Sequence, residues 1–278
     1  KQMDIGTAKI KKEQMQGVTH YMIDEWNPDE EFNVMIFQKH VKEIMEDIYN
    51  RGKIPILVGG TGFYIQAVLN DIAFTKEKQG DEIRADLQNL AKEKGASYLH
   101  HELQKVDKES AEAIHPNNIK RVIRALEYFQ STGQKFSDHN KEERQKGSPY
   151  NFLYLVLTMN RKVLYERIDK RVDQMMEEGL VKEVKQLLDA GYSRNLVSMQ
   201  GLGYKEIASA LFKECTMEEA VYRLKRDTRH FAKRQMTWFR RERDVTMINK
   251  DNFSNNHEIV NYIMKLAVEK GICSCREG

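Results

Sequence analysis

Gly59-Gly60-Thr61-Gly62 sets bare backbone and one hydroxyl at the end of the apolar run Lys53–Val58. Glycines let a ligand approach main-chain N–H groups. Gly59 and Gly60 are therefore candidate diphosphate contacts, and Thr61 is a candidate site hydroxyl. The same residues would also make a tight turn in which Thr61 caps the next helix; spacing alone does not choose. Arg167 and Arg171 are four residues apart, and their guanidinium forks suit phosphate oxygens. Asp169 and Asp173 stand beside them and offer ordinary ion pairs instead. Lys120 and Arg124, with Arg121 between them, form a cationic face opposite Ile119, Val122, Ile123 and Leu126. That face suits phosphates, or simply solvent. Arg226, Lys233 and Arg240 recur every seven residues. They lie about 200° around a helix from Leu224, Phe231 and Trp238, which recur at the same interval. The apolar stripe packs and the cationic stripe stays available to a polyanion, whereas a merely solvated face usually mixes both signs. The eight histidines show no metal-ligand spacing, and the three cysteines, Cys215, Cys273 and Cys275, form no CxxC pair.

These residues need elements to hold them. Lys53–Val58 reads as a strand that runs into the glycine turn, and a helical pattern follows from Phe63 to Leu69. Strand, turn and helix are α/β grammar. From Asp81 to Phe136 only helices are expected: Asp81–Lys94, Ala96–Gln104 and Asn117–Ser131, the last stopped at Gly133. The polar stretch Ser137–Pro149 reads as a loop. Asn151–Met159 alternates and reads as a strand, and Arg161 to about Ala190 as one long helix ending at Gly191. Thr216 caps a basic helix that runs to about Glu242. Val245–Asn249 is a further strand and His257–Glu269 a final helix. The expected organisation is a parallel-sheet core, 1–70 and 151–278, interrupted by an all-helical insertion, 71–150.

Composition sets the class. The chain has 278 residues, 40% hydrophobic and 31% charged, which is globular rather than disordered. Its longest apolar runs are too short to span a bilayer and no signal segment opens it, so a soluble cytoplasmic protein is expected, with no membrane partner. Net charge is only +3, yet Arg223–Arg243 holds nine Lys or Arg against two acids. That segment carries +7 and the remainder −4. One strongly basic helix on a neutral-to-acidic body is the footprint of a polyanionic partner.

Four stretches resemble the tRNA dimethylallyltransferase (isopentenyl-tRNA transferase) family: Met3–Lys9 (MDIGTAK), Pro55–Tyr64 (PILVGGTGFY), His115–Glu127 (HPNNIKRVIRALE) and Thr228–Arg240 (TRHFAKRQMTWFR). Gly203-Tyr204-Lys205-Glu206 is a fifth. Together, in order, they cover nearly the whole chain. The resemblance implies a P-loop-kinase-like α/β core with a helical insertion, nucleotide-binding in type. It implies transfer of a dimethylallyl group from dimethylallyl diphosphate to the adenine amine beside a tRNA anticodon. It also implies magnesium with the diphosphate, and a monomer is expected. By the resemblance, Thr61 and Arg84 touch the tRNA near the reacting adenine. Lys120, Arg121, Val122, Ile123 and Arg124 form one tRNA-contacting stretch. Lys233, Arg234, Gln235, Thr237 and Arg240 lie in another. Where the family usually has Asp and Gln, this chain has Asn118 and Lys120, which makes that face more cationic.

A P-loop small-molecule or nucleotide kinase is the alternative. It shares the core but has no need of a long one-sided cationic helix. A module that merely holds tRNA would not need the glycine turn. The family's opening strand, its Gly-rich phosphate loop and the Asp that serves as general base precede the stretch matched at Lys1. Three strands would leave sheet edges and faces uncovered. An upstream βαβ-like piece of about 40 residues is therefore expected, and the 278 residues alone are expected to fold poorly and to transfer no prenyl group. Turnover of labelled dimethylallyl diphosphate by the 278-residue protein at a normal rate would overturn that expectation.

Overall fold

The computed structural model describes residues 1–74 and 80–274. After one 3₁₀ turn, Lys12–Met15, come α1 (Val34–Asn50) and α2 (Gly62–Leu69). Then follow α3 (Gly80–Lys94), α4 (Ala96–Val106), α5 (Lys108–Ala113), α6 (Ile119–Thr132) and α7 (Phe136–Gln145). Next are β1 (Tyr154–Thr158), α8 (Arg161–Glu178), α9 (Leu180–Asp189), α10 (Tyr204–Leu211), α11 (Met217–Phe239), β2 (Val245–Asn249) and α12 (Asn256–Glu269). The chain divides into two compact units, Lys1–Ile65 with Asn151–Gly278, and Gln66–Tyr150.

In the first unit β1 and β2 pair in parallel, with Tyr154 opposite Val245 and Thr158 opposite Asn249. This small sheet in a helix-rich chain is an α/β arrangement. Lys53–Val58 corrects the sequence reading: it forms no strand, and Ile56 and Val58 are 83% and 87% exposed. An apolar run becomes a strand only through a ladder partner, and no described residue supplies one. The expected helix 161–190 is also two helices. Gly179, at φ +102°, ends α8 and starts α9 in the left-handed region that a side chain rarely adopts. The break turns the chain so that Leu180, Glu183, Val184 and Leu187 share one buried face of α9. That face packs with Met199, Tyr204, Ile207, Ala220 and Leu224.

Glu183 is the polar centre of this core. Its carboxylate accepts the backbone N–H groups of Asp4 (2.9 Å), Ile5 (2.8 Å) and Gly6 (3.1 Å), and the hydroxyl of Tyr204 at 2.6 Å. Burial and the adjoining Glu183 carboxylate push the Tyr204 phenol far above its ordinary value, so it stays a donor. Gly6 lies flush on the Tyr204 ring, which a Cβ would meet at 2.5 Å. Two of the recognised stretches, 3–9 and 203–206, are thus one packed object.

The second unit is all helical. Leu87, Leu99, Leu103, Ala111, Ile114, Val122, Ile123, Ala125 and Leu126 make its core. The expected loop Ser137–Pro149 is mostly α7, a third correction. Its polar composition hid three anchors: Phe136 and His139 against Tyr128 at 5.7 and 4.8 Å between ring centroids, and the Ser137 N–H donating to Asp107 at 2.8 Å. Burial alone would raise the Asp107 carboxyl, but hydrogen bonds from Ser110 and Ser137 overcome it and hold the group below its ordinary value. Gly133, at φ +71°, ends α6 as read. Helices α1, α5 and α10 were not anticipated.

Tyr204→Phe keeps the ring and deletes one hydrogen bond to a carboxylate, which is worth about 1.5–3 kcal/mol. Urea unfolding of the variant is expected to show a loss in that range. Gly6→Ala should cost at least as much. An unchanged midpoint for Tyr204→Phe would remove Glu183 from the centre of the core.

Candidate functional site

Thr61 lies where the glycine turn enters α2. Its carbonyl accepts from the N–H groups of Tyr64 (3.0 Å) and Ile65 (3.2 Å), so its backbone starts the helix. Its side chain is exposed, and among the described residues the hydroxyl makes no hydrogen bond. Capping therefore does not consume it. The glycines around it have a reason that spacing did not show. The Gln235 amide on α11 donates to the Gly60 carbonyl at 2.8 Å, and a Cβ on Gly60 would collide with that amide. A Cβ on Gly62 would collide with the Trp238 indole. Phe63 meets the same indole edge-on, 6.5 Å between centroids. Around Gly59 a Cβ would find open space.

Helix α11 begins as expected, with Thr216 Oγ1 accepting from the Glu219 N–H at 3.1 Å. Its cations divide along its length. Arg223 pairs with Glu219 at 2.7 Å, Lys225 with Asp173 at 2.5 Å, Arg226 with Asp227 at 2.8 Å and Arg229 with Asp169 at 2.5 Å. Among the described residues Lys233, Arg234 and Arg240 make no ion pair, and all three are exposed. Arg234 stacks on Phe231, 5.7 Å from its centroid. Thr237 spends its hydroxyl on the Lys233 carbonyl at 3.0 Å. The apolar stripe corrects the expectation in part: Leu224 is buried, but Phe231 and Trp238 keep 39% and 37% of their surface. Leu224 is joined by Ala220 and Phe239 as the buried residues of α11.

Asp169 and Asp173, the alternative partners for Arg167 and Arg171, are thus engaged by α11. Arg167 and Arg171 are exposed on α8, with no ion pair among the described residues. Beside them Arg161, Lys162, Tyr165, Glu166, Asp169 and Arg229 line an open cleft of about 560 Å³.

In the second unit Lys120 and Arg121 are exposed on α6. Val122 and Ile123, expected in a tRNA-contacting stretch, are 0% and 5% exposed. Their side chains belong to the core, because the helix face that buries them is the one opposite the cations. Arg84 forms a two-pronged pair with Glu127, Nε at 3.2 Å and Nη2 at 2.7 Å. Arg124 reaches the same carboxylate at 3.2 Å. Glu127 is only 2% exposed, and sequence reasoning gave it no role. Its place three residues after Arg124 was the available signal.

The IPP transferase family model matches residues 1–242. The chain belongs to that family. It is 57% identical over 270 residues to a tRNA dimethylallyltransferase of Lachnoclostridium phytofermentans, covering 97% of this chain and 86% of the relative. It is 48% identical over 260 residues to one of Acetivibrio thermocellus, covering 94% and 83%. Among solved structures it is similar to the full-length tRNA isopentenylpyrophosphate transferase of Bacillus halodurans, with TM-score 0.70, 43% identity, and 98% and 86% coverage. A eukaryotic dimethylallyltransferase described as acting on tRNA gives TM-score 0.78 at 26% identity, covering 95% of this chain and 70% of that one.

In this IPP transferase Thr61 belongs to the first unit and Arg84 to the second. No helix among the described residues is long and apolar enough to cross a membrane, and none of their His, Cys, Asp and Glu side chains form a group of three or more able to hold a metal. Cys215 and Cys273 are free thiols, and Cys275 lies outside the described residues.

Sharing of one buried carboxylate makes a test. Arg84→Ala leaves Glu127 with Arg124, and Arg124→Ala leaves it with Arg84. Removing both strands a buried charge, and such stranding is costly. The double variant is expected to lose at least about 1 kcal/mol more stability than the two single losses added together, read by urea unfolding. Strict additivity would mean that the two arginines do not share Glu127.

Proposed function

We propose that this enzyme transfers a dimethylallyl group from dimethylallyl diphosphate to the exocyclic amine of the adenosine beside a tRNA anticodon, acting in the cytoplasm as a monomer. Membership of the IPP transferase family supports the reaction class. The observation that carries the residue-level reading is Thr61, an exposed hydroxyl unused by its own helix, in a turn held against α11, whose last turns keep cations with no ion pair among the described residues. A small-molecule kinase has no use for that helix.

An adenine amine is a weak nucleophile because its lone pair is delocalised into the ring. In the reaction a C–N bond forms and the C–O bond to diphosphate breaks. The amine proton leaves to a base, and the diphosphate departs with its charge. A hydroxyl at Thr61 orients the amine by hydrogen bonding. Arg167 and Arg171 are suited to neutralise the departing diphosphate, with Gly59 offering open backbone to it. Magnesium would accompany the diphosphate and help to neutralise its charge as it departs. The core is read as P-loop-kinase-like, with β1 and β2 as its parallel strands.

The adenosine must leave the anticodon stack to react. Lys233, Arg234 and Arg240 on α11, and Lys120, Arg121 and Arg124 on α6, supply phosphate contacts that offset that cost. Arg84 is held in a fixed orientation by Glu127.

Thr61→Ala in the full-length protein is expected to slow prenyl transfer tenfold or more without changing the melting temperature. Early melting with a fully active folded fraction would make Thr61 a structural residue only. Lys233→Glu with Arg240→Glu is expected to weaken tRNA binding and flatten its salt dependence by about one unit of slope per lost phosphate contact. Arg226→Glu should do less, because Asp227 already neutralises Arg226. Equal effects at all three positions would show that the ion pairs do not partition the helix.

A further inference from the structure

Thr61 is the residue of its turn that leaves its side chain exposed, while both its neighbours are pressed against one helix. We propose that Gln235 and Trp238 are positioning residues for the transfer reaction: they clamp Gly60 and Gly62 and so fix Thr61. This rests on the reading of Thr61 as a residue that touches the substrate.

The geometry is specific. The Gln235 amide donates to the carbonyl of Gly60, and that carbonyl belongs to the peptide plane leading into Thr61. Its orientation sets the direction of the Thr61 N–H and the start of α2. On the far side, Gly62 lies so close to the Trp238 indole that no Cβ fits, and Phe63 packs edge-on against the same ring. The peptides before and after Thr61 are therefore pinned from one helix, one by a hydrogen bond and one by contact.

Gln235 and Trp238 are three residues apart, about 60° around α11, and so share a face. Lys233 and Arg240 lie about 160° and 140° from Gln235. The face that holds the turn and the face that offers cations are nearly opposite, within two turns of one rigid element. A shift of about 1 Å in a group such as Thr61 is enough to cost a large factor in rate. The family resemblance places Gln235 in a tRNA-contacting stretch, but its amide is engaged with Gly60 instead.

The test is a kinetic cycle in the full-length protein, with labelled dimethylallyl diphosphate and tRNA. Gln235→Ala should lower kcat about three- to tenfold, as loss of one oriented hydrogen bond would, with KM for tRNA and melting temperature unchanged. Gly60→Ala should reproduce that loss, because its methyl displaces the same amide. Trp238→Phe should retain more activity than Trp238→Ala. The double variant Thr61→Ala/Gln235→Ala should be no slower than Thr61→Ala, because Gln235 acts through Thr61. Multiplied effects in the double variant, or a raised KM for tRNA, would make Gln235 a direct RNA contact and overturn the clamp. A lowered melting temperature with normal kcat would make it ordinary packing. A slow Thr61→Ala beside a wild-type Gln235→Ala would sink the clamp alone. A fully active Thr61→Ala would sink the reading of Thr61, and the clamp with it.

Discussion

Helix α11 lies against backbone that carries no side chains, and that close approach constrains much of the first unit. One 23-residue helix supplies Ala220 and Leu224 to the core and, through Lys225 and Arg229, ties α8 by its aspartates. It ends with Phe239 edge-on to Tyr154 of β1, 6.2 Å between centroids. Between these anchors it meets Gly60 and Gly62. Moving the helix outward to admit a side chain there would disturb the α8 ion pairs and the packing on β1. The glycines are therefore a steric condition of the helix position, besides any use of their backbone by a ligand.

Buried carboxylates organise both units in one way. Glu183 gathers three backbone N–H groups and a phenol, Asp107 gathers Ser110 and Ser137, and Glu127 gathers two guanidinium groups. Each joins segments far apart in the chain at the cost of dehydrating a charge, and each offsets that cost with several donors. The outcome is a core whose register is fixed by acceptor geometry as well as by volume.

Local signals were legible and distant ones were not. The Thr216 cap, the Gly133 stop and the last helix could be read because each is set by neighbours within a turn or two. Lys53–Val58 looked like a strand because propensity is local, whereas pairing is not. Gly179 gives no clear stop signal, because one glycine inside a long amphipathic pattern is often tolerated. The polar surface of α7 concealed Phe136, whose partner Tyr128 lies on another helix. In the candidate site, the seven-residue interval revealed Lys233 and Arg240. That Lys225 and Arg229 are already neutralised was invisible, since Asp173 and Asp169 belong to a different helix. Gln235 meets Gly60 across 175 residues, a contact no spacing rule reaches.

The parallel pairing of β1 with β2 joins residues ninety-one positions apart, Tyr154 to Val245. At a synthesis rate of about 5–20 residues per second, β1 leaves the ribosome roughly 5–20 s before its partner strand exists. During that interval its ladder groups face only solvent, and the nascent chain has α8 to α11 with which to build a core. Those helices pack through shorter-range contacts and so collapse first, while the sheet closes last. The order of assembly on the ribosome is therefore expected to run from the helices α8 to α11 toward the sheet.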